Sequence, residues 1–235
     1  MIIKNLPDPI INYYFKNVYP PSDDSYLIID YFKKNINLNY FDGKKIQDIA
    51  RILDIGTGSG VIAIFFLLLK EHITNFNPEV YASDILAESI ECAKLNEKAN
   101  KFENQINFIR ANLFKSFPDN LRKKFDIIIF NPPYLPSSQI ITESINKTKI
   151  DYSWDGGRKG IEVFMRFLHD VKDFIKEDSY IYYVSSSMSD LEQLNEFIIQ
   201  LNEHILGLGF KNEVLKKKHV FFEDIFLNRI KVIKD

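Results

Sequence analysis

Two short loops in this chain carry the residue types from which chemistry could be built. The first is Leu53-Asp54-Ile55-Gly56-Thr57-Gly58-Ser59-Gly60. Three glycines at alternate positions allow a sharp backbone turn and let a ligand lie directly against it. A helical stretch follows, and a helix N-terminus favours a negatively charged group. The loop is not a dinucleotide fingerprint, because Val61 stands where G-x-G-x-x-G needs its third glycine. It is not a phosphate-binding P-loop, because no Gly-Lys-Ser/Thr follows. Asp54, just before the loop, would repel phosphates but suits a ligand with an ammonium group. Asp84 ends the next apolar stretch, where a carboxylate can accept from both hydroxyls of a ribose. Carboxylate, ammonium and ribose together describe S-adenosylmethionine. The plain alternative is a glycine turn that only packs strand on helix.

The second loop is Asn131-Pro132-Pro133-Tyr134, which ends the most apolar segment of the chain, Phe125–Phe130. Its prolines stiffen the backbone and force Asn131 out of helix. The Asn131 side-chain oxygen and the Pro132 carbonyl would then be two rigid acceptors, able to hold an NH₂ group by both hydrogens. The target nitrogen would be an amide or an exocyclic aromatic amine, whose lone pair is delocalised. Hydrogen bonds that pull that lone pair out of conjugation make the nitrogen a better nucleophile. Tyr134 offers a flat face and a cation–π contact. Catalysis of this kind works by positioning and fixed dipoles and needs no strong base. The plain alternative is a Pro-Pro turn after a buried strand.

The elements that must position these loops alternate in type. Strands are predicted over Arg51–Ile55, Glu79–Asp84, Gln105–Arg110, Phe125–Phe130 and Tyr180–Val184. Helices are predicted over Ser59–Lys70, Ala87–Ala99, Ile161–Ile175 and Ser189–Leu206, with another starting at Ser22-Asp23-Asp24. Gly209–Lys217 and Val220–Ile233 read as two strands joined near Lys218-His219. The pattern predicts an α/β fold: a seven-stranded, mostly parallel sheet with a C-terminal antiparallel hairpin and helices on both faces. A single domain is expected over residues 1–235, with an N-terminal extension and helix (1–50) before the core (51–235). Both loops then share the rim at the carboxyl ends of the strands, where ligands bind in such sheets. Pro136 to Trp154 has weak periodicity and the length of a lid or binding loop.

Composition narrows the function classes. Hydrophobic residues make up 46% of the chain, while Gly and Pro number only nine each, which excludes collagen-like or linker-rich sequence. Thirty basic residues face 32 acidic ones, so no global field draws the chain to nucleic acid or an anionic membrane. The single cysteine, Cys92, excludes an internal disulfide and points to a reducing compartment. The four histidines are scattered, so no metal site is expected. Neither a signal peptide nor a membrane-spanning run is visible, and a cytoplasmic protein is expected. Lys216-Lys217-Lys218-His219 and Arg122-Lys123-Lys124 read as solvated turns, with contact to RNA or a ribosomal partner as the sharper alternative.

Taken together, the two loops resemble those of class I S-adenosylmethionine-dependent methyltransferases of the HemK type, the release-factor glutamine methyltransferases. Tyr19-Pro20-Pro21-Ser22-Asp23-Asp24-Ser25 is similar to the Tyr-x-Pro-x-Glu-Asp-Thr segment of the short eukaryotic and archaeal branch. Trp154-Asp155-Gly156-Gly157-Arg158-Lys159-Gly160 resembles a Gly-Gly-x-x-Gly segment that follows the catalytic loop in this family. The resemblance implies a Rossmann-like fold, S-adenosylmethionine as cofactor and S-adenosylhomocysteine as product. The implied reaction methylates the side-chain amide nitrogen of glutamine in the Gly-Gly-Gln loop of a class-one release factor. By resemblance, Asn131, Pro132, Pro133 and Tyr134 form the catalytic loop. Tyr19 and Ser25 would lie near the cofactor, Asp54, Gly56 and Gly58 along its methionine part and Asp84 at its ribose. Asn112 and Leu113 would flank the adenine, and Asn131 would touch both cofactor and substrate. Asn112 departs from the family's usual Asp at this place. The resemblance also implies a heterodimer with a small zinc-binding activating subunit, so any zinc would belong to that partner. Ile106, Phe108, Leu113 and Phe114, within Gln105–Phe117, are candidates for the surface it covers, with ordinary core as their alternative. The four-residue catalytic motif is shared with adenine methyltransferases, which leaves an exocyclic-amine methyltransferase acting on DNA or RNA as the rival enzyme. Balanced charge and the lack of spare length for a target-recognition domain weigh against it. A non-catalytic, cofactor-binding partner protein is the third reading.

Overall fold

The computed structural model describes residues 6–137, 153–204 and 208–234. Helix α1 (Asp23–Asn35) is followed by a small hairpin, β1 (Tyr40–Phe41) and β2 (Lys44–Lys45), turning at Asp42-Gly43. Then come β3 (Arg51–Ile55), α2 (Val61–His72), β4 (Glu79–Asp84), α3 (Ala87–Ala99), β5 (Ile106–Arg110) and β6 (Phe125–Phe130). Helix α4 (Glu162–Val171), β7 (Ile175–Ser186), α5 (Leu191–His204), β8 (Gly209–Val220) and β9 (Glu223–Ile233) complete the chain. Seven strands form one sheet in the order β5-β4-β3-β6-β7-β9-β8. The first five are mutually parallel, and β9 runs antiparallel to both β7 and β8.

This order places a topological switch between β3 and β6. From β3 the chain winds outward through β4 and β5, then returns to β6 and winds the other way. Helices on either side of the switch diverge and leave a crevice beyond the carboxyl ends of β3 and β6. Both chemically suggestive loops start at those two ends.

Strand β6 shows why the sheet is covered on both faces. Side chains alternate along a strand. Ile127 and Ile129 pack into one core with α1 and α2, while Ile128 and Phe130 pack into the other with α4 and α5. All six residues of β6 are buried. Burying each large apolar side chain contributes about 2 kcal/mol. Leu27, Ile28, Ile29 and Phe32 of α1 share the first core, so this helix is an integral layer of the fold.

Several boundaries differ from the sequence reading. The helix expected over Ile161–Ile175 stops at Val171, and Ile175 already opens β7. The strand expected over Tyr180–Val184 is the central part of that longer strand. Lys176-Glu177-Asp178 masked its first half: Asp178 takes φ +66°, and the pairing with β6 shifts register there. Ser179 repairs the break, donating its hydroxyl to the Phe125 carbonyl at 2.7 Å and accepting from the Lys176 amide at 2.8 Å. The last hairpin turns at Phe221-Phe222, and Lys218-His219 lies inside β8. Ion pairs hold these basic residues in the strand, Lys217 to Asp224 at 2.7 Å and Lys218 to Asp23 at 2.6 Å. Most of Pro136–Trp154 lies outside the described residues.

Candidate active site

A cavity of about 610 Å³ opens at the switch point, a size suited to a cofactor-scale ligand. The turn after β3 forms its floor. Gly56 and Gly58 have φ +67° and +54°, and a Cβ on Gly56 would lie 3.3 Å from the Phe130 ring. Glycine is therefore required there both by conformation and by the neighbouring strand end. The Gly58 amide donates to Asp84 Oδ2 at 3.0 Å, and the Leu86 amide donates to Oδ1 at 2.9 Å. Asp84 thus ties the loop after β3 to the loop after β4, and burial raises its pKa. It lines the cavity, as do Gly56, Gly58, Asn112 and Leu113. Leu113 takes φ +53°, and Asn112 closes a bridge with Lys115.

Asp54 stands elsewhere. It alternates along β3 with Leu53 and Ile55, which face the α4–α5 core, and so it points beneath the first turn of α2. It is 1% exposed and does not line the cavity. Its Oδ2 accepts from the Thr57 hydroxyl at 2.6 Å, and the Ala63 amide is a second donor. Burial pushes its pKa up to about 7. The structure places Asp54 behind the glycine loop, where it bonds Thr57, rather than on the cavity wall.

The loop after β6 brings its four residues, Asn131, Pro132, Pro133 and Tyr134, to the cavity wall. Among the described residues, Asn131 Oδ1 is a buried side-chain acceptor with no hydrogen-bond partner. Buried polar atoms are nearly always paired, so an orphan at a cavity is an acceptor for a ligand. Opposite it sits Asp24, which the sequence reading did not single out. Asp24 is 3% exposed and lines the cavity. Its Oδ2 accepts from the hydroxyls of Tyr19 and Tyr134, each at 3.3 Å, and its Oδ1 accepts from the Ser25 amide at 2.6 Å. Burial and the Asp24 charge push both tyrosine pKa values above their ordinary value, so both are neutral donors. An acid in the first turn of a helix ordinarily reads as a partner of the helix dipole, which hid this role.

The segment Trp154–Gly160 packs against the loop after β6 and supplies part of the cavity wall. The Leu135 amide donates to the Trp154 carbonyl and the Gly156 amide to the Leu135 carbonyl, both at 3.0 Å. The Ser189 hydroxyl donates to the Tyr134 carbonyl at 2.7 Å. A Cβ on Gly156 would stand 2.6 Å from the Pro133 carbonyl, and one on Gly160 would overlap the Tyr134 carbonyl. The Gly-Gly-x-x-Gly spacing is thus a packing requirement of the loop it touches. Glu223, from the β8–β9 hairpin, also reaches the cavity wall and is bonded by the Ser186 hydroxyl. No local sequence signal marks it, because the fold alone brings the hairpin to this rim.

Of the apolar residues considered for a partner surface, Ile106 and Phe114 are buried in the core. Phe108 is half-buried on β5, the outermost strand of the sheet, and Leu113 lines the cavity. Among the described residues there is no cluster of three or more His, Cys, Asp or Glu side chains able to hold a metal, and no helix long and apolar enough to cross a membrane.

Known proteins resemble this chain in sequence and in fold. A family model described as the methyltransferase small domain matches residues 35–152. The eRF1 methyltransferase catalytic subunit mtq2 of Schizosaccharomyces pombe is 30% identical over 215 residues, covering 87% of this chain and 85% of its own. A putative protein N5-glutamine methyltransferase of Methanocaldococcus jannaschii is 29% identical over 213 residues, 89% of each chain. Among solved structures, the E. cuniculi Mtq2-Trm112 complex, responsible for methylation of the eRF1 translation termination factor, gives a TM-score of 0.59 at 21% identity. That match covers 92% of this chain and 98% of the other and concerns the fold. The family match spans half the chain and includes both loops that meet at the cavity, and the S. pombe relative extends it almost end to end: the chain belongs to the methyltransferase small-domain family.

Proposed function

We propose that this protein transfers a methyl group from S-adenosylmethionine to the side-chain amide nitrogen of the glutamine in the Gly-Gly-Gln loop of a class-one release factor. The observation that carries the reading is the buried Asn131 Oδ1, which lines the switch-point cavity and has no partner among the described residues. With the Pro132 carbonyl it makes a pair of rigid acceptors for the two hydrogens of an amide NH₂. Relatives named as glutamine and eRF1 methyltransferases support the same reading.

The residues present fit the cofactor. All five candidate residues line the cavity: on this reading Gly56 and Gly58 leave room against the backbone, Asp84 would take the ribose hydroxyls, and Asn112 and Leu113 would flank the adenine. When bound there, S-adenosylmethionine supplies an electrophilic methyl group. The chain's part is to hold the target nitrogen in line and out of conjugation. Asn131 and Pro132 accept its hydrogens, while Asp24 fixes Tyr134 as a flat wall for the planar amide. No side-chain base is required: the nitrogen-protonated methylamide is a strong acid and gives its extra proton to solvent water, while the sulfonium leaves as the neutral thioether. Such fixed dipoles act without reorganisation at the moment of transfer.

The reading includes a cytoplasmic location and a heterodimer. The free edge of β5, with Phe108 half-buried beside it, is where a small zinc-binding activating subunit would extend the sheet. Incubation with labelled cofactor and either release factor, DNA or RNA tests the proposal. Label in the release factor is expected, and label in nucleic acid alone would favour an adenine-amine methyltransferase instead.

A further inference from the structure

Outside the cavity, the tip of the β8–β9 hairpin departs furthest from ordinary surface chemistry. Phe221 is 85% exposed and Phe222 is 95% exposed, the highest among the large apolar residues described. Two-residue hairpin loops favour Gly, Asn and Asp because they need positive φ. Here Phe221 takes φ +50°, a region that bulky residues rarely adopt. The tip therefore combines backbone strain with two solvated rings, where Asn-Gly would carry neither. Strain of this kind persists where function retains it.

The tip is also held firmly. Val220 pairs with Glu223, and the Asp224 amide donates to the Ser187 hydroxyl at 2.9 Å. Lys218 reaches Asp23 of α1 at 2.6 Å, one residue from the Asp24 that holds Tyr134. Lys217 and His219 are both engaged by Asp224. Lys217 and Lys218, the lysines nearest the tip, are thus already paired, and the tip itself presents two apolar rings. Glu223, the residue after Phe222, lines the cavity. The two rings do not line the cavity themselves, but they stand at the hairpin tip next to a residue of its wall.

We infer that Phe221 and Phe222 are docking anchors for the folded protein substrate, seating in an apolar cleft of the release factor outside its glutamine loop. This inference rests on the glutamine-methyltransferase reading above. Three features favour a protein occupant: continuity with the cavity wall through Glu223, the pairing of Lys217 and Lys218, and two aromatic rings on a strand-paired tip. Aromatic side chains on a fixed support dominate protein interfaces because they bury much area at little entropic cost.

The test is the double variant Phe221→Asn, Phe222→Gly, which supplies the residues a tight hairpin prefers. With intact release factor, KM should rise about 10-fold or more while kcat is unchanged. S-adenosylhomocysteine affinity, the thermal midpoint and turnover of a short Gly-Gly-Gln peptide should match the wild type or, for the midpoint, exceed it. An unchanged KM for the release factor would overturn the inference. So would an equal loss on protein and peptide, or a wild-type dimer that the variant converts to monomer. Loss of RNA binding with an unchanged KM would assign the rings to nucleic acid and overturn it as well. A wild type that cannot methylate the release factor at all would instead sink the glutamine reading, and this inference with it.

Discussion

Replacing Asn131 by alanine should move activity and stability in opposite directions. Its Oδ1 is buried and has no hydrogen-bond partner among the described residues. A buried polar atom left unsatisfied costs about 1–3 kcal/mol, and alanine removes that atom. In a 235-residue chain, 1 kcal/mol corresponds to a midpoint shift of about 2–4 °C. The variant should therefore melt a few degrees higher without ligand, less a fraction for the space left behind. Activity should respond the other way. Removing one preorganised group that holds the reacting centre lowers kcat by about 10²–10³-fold, or roughly 3–4 kcal/mol. Scanning calorimetry of the ligand-free proteins measures the first effect. Radiolabel transfer to release factor at saturating cofactor measures the second. A variant that melts lower and turns over normally would refute both the orphan status of Oδ1 and its catalytic role.

Three further predictions follow from the same geometry. Gly160→Ala forces a side chain onto φ +76° and against the Tyr134 carbonyl, so it should lower stability by about 2 kcal/mol or more and abolish turnover, measured by denaturant titration and methyl transfer. Asp24→Ala releases the hydroxyls of Tyr19 and Tyr134, and kcat/KM should fall about 10-fold or more, with Asp24→Asn restoring part of it. The Asp54 pKa is raised from 3.8 to about 7, so its protonated form gives stability that is full below pH 3.8 and is lost as pH rises through about 7. Asp54→Asn should therefore stabilise the protein more at pH 8 than at pH 5, by on the order of 2–3 kcal/mol. Thermal melts at the two pH values measure this, and equal shifts would mean that the carboxylate is already ionised at pH 5.

Both loops at the cavity were legible in the sequence because Gly and Pro are placed by backbone geometry, which is local. The strand–helix alternation then placed them on one rim without any knowledge of contacts. Charged residues inside strands were harder to read. Lys176-Glu177-Asp178 interrupts the apolar pattern and Lys216–His219 reads as a turn, yet a bulge repaired by Ser179 keeps the first within β7, and the second lies within β8, with Lys217 and Lys218 ion-paired. Asp54 was assigned to a ligand because it precedes the loop, but the two-residue period of β3 turns it beneath α2. Asp24 and Glu223 enter the site through long-range packing of α1 and the last hairpin, which no nearby residues announce.

The central claim is that a glutamine amide, held by Asn131 and Pro132, receives the methyl group. Peptide mapping by mass spectrometry of a class-one release factor, after incubation with this protein and S-adenosylmethionine, tests it most directly. The expected result is the added mass of one methylene on the glutamine of the Gly-Gly-Gln peptide, with fragment ions placing it on the side-chain amide, and its loss with Asn131→Ala. An unmodified Gly-Gly-Gln peptide alongside methylated adenine in added nucleic acid would contradict the account.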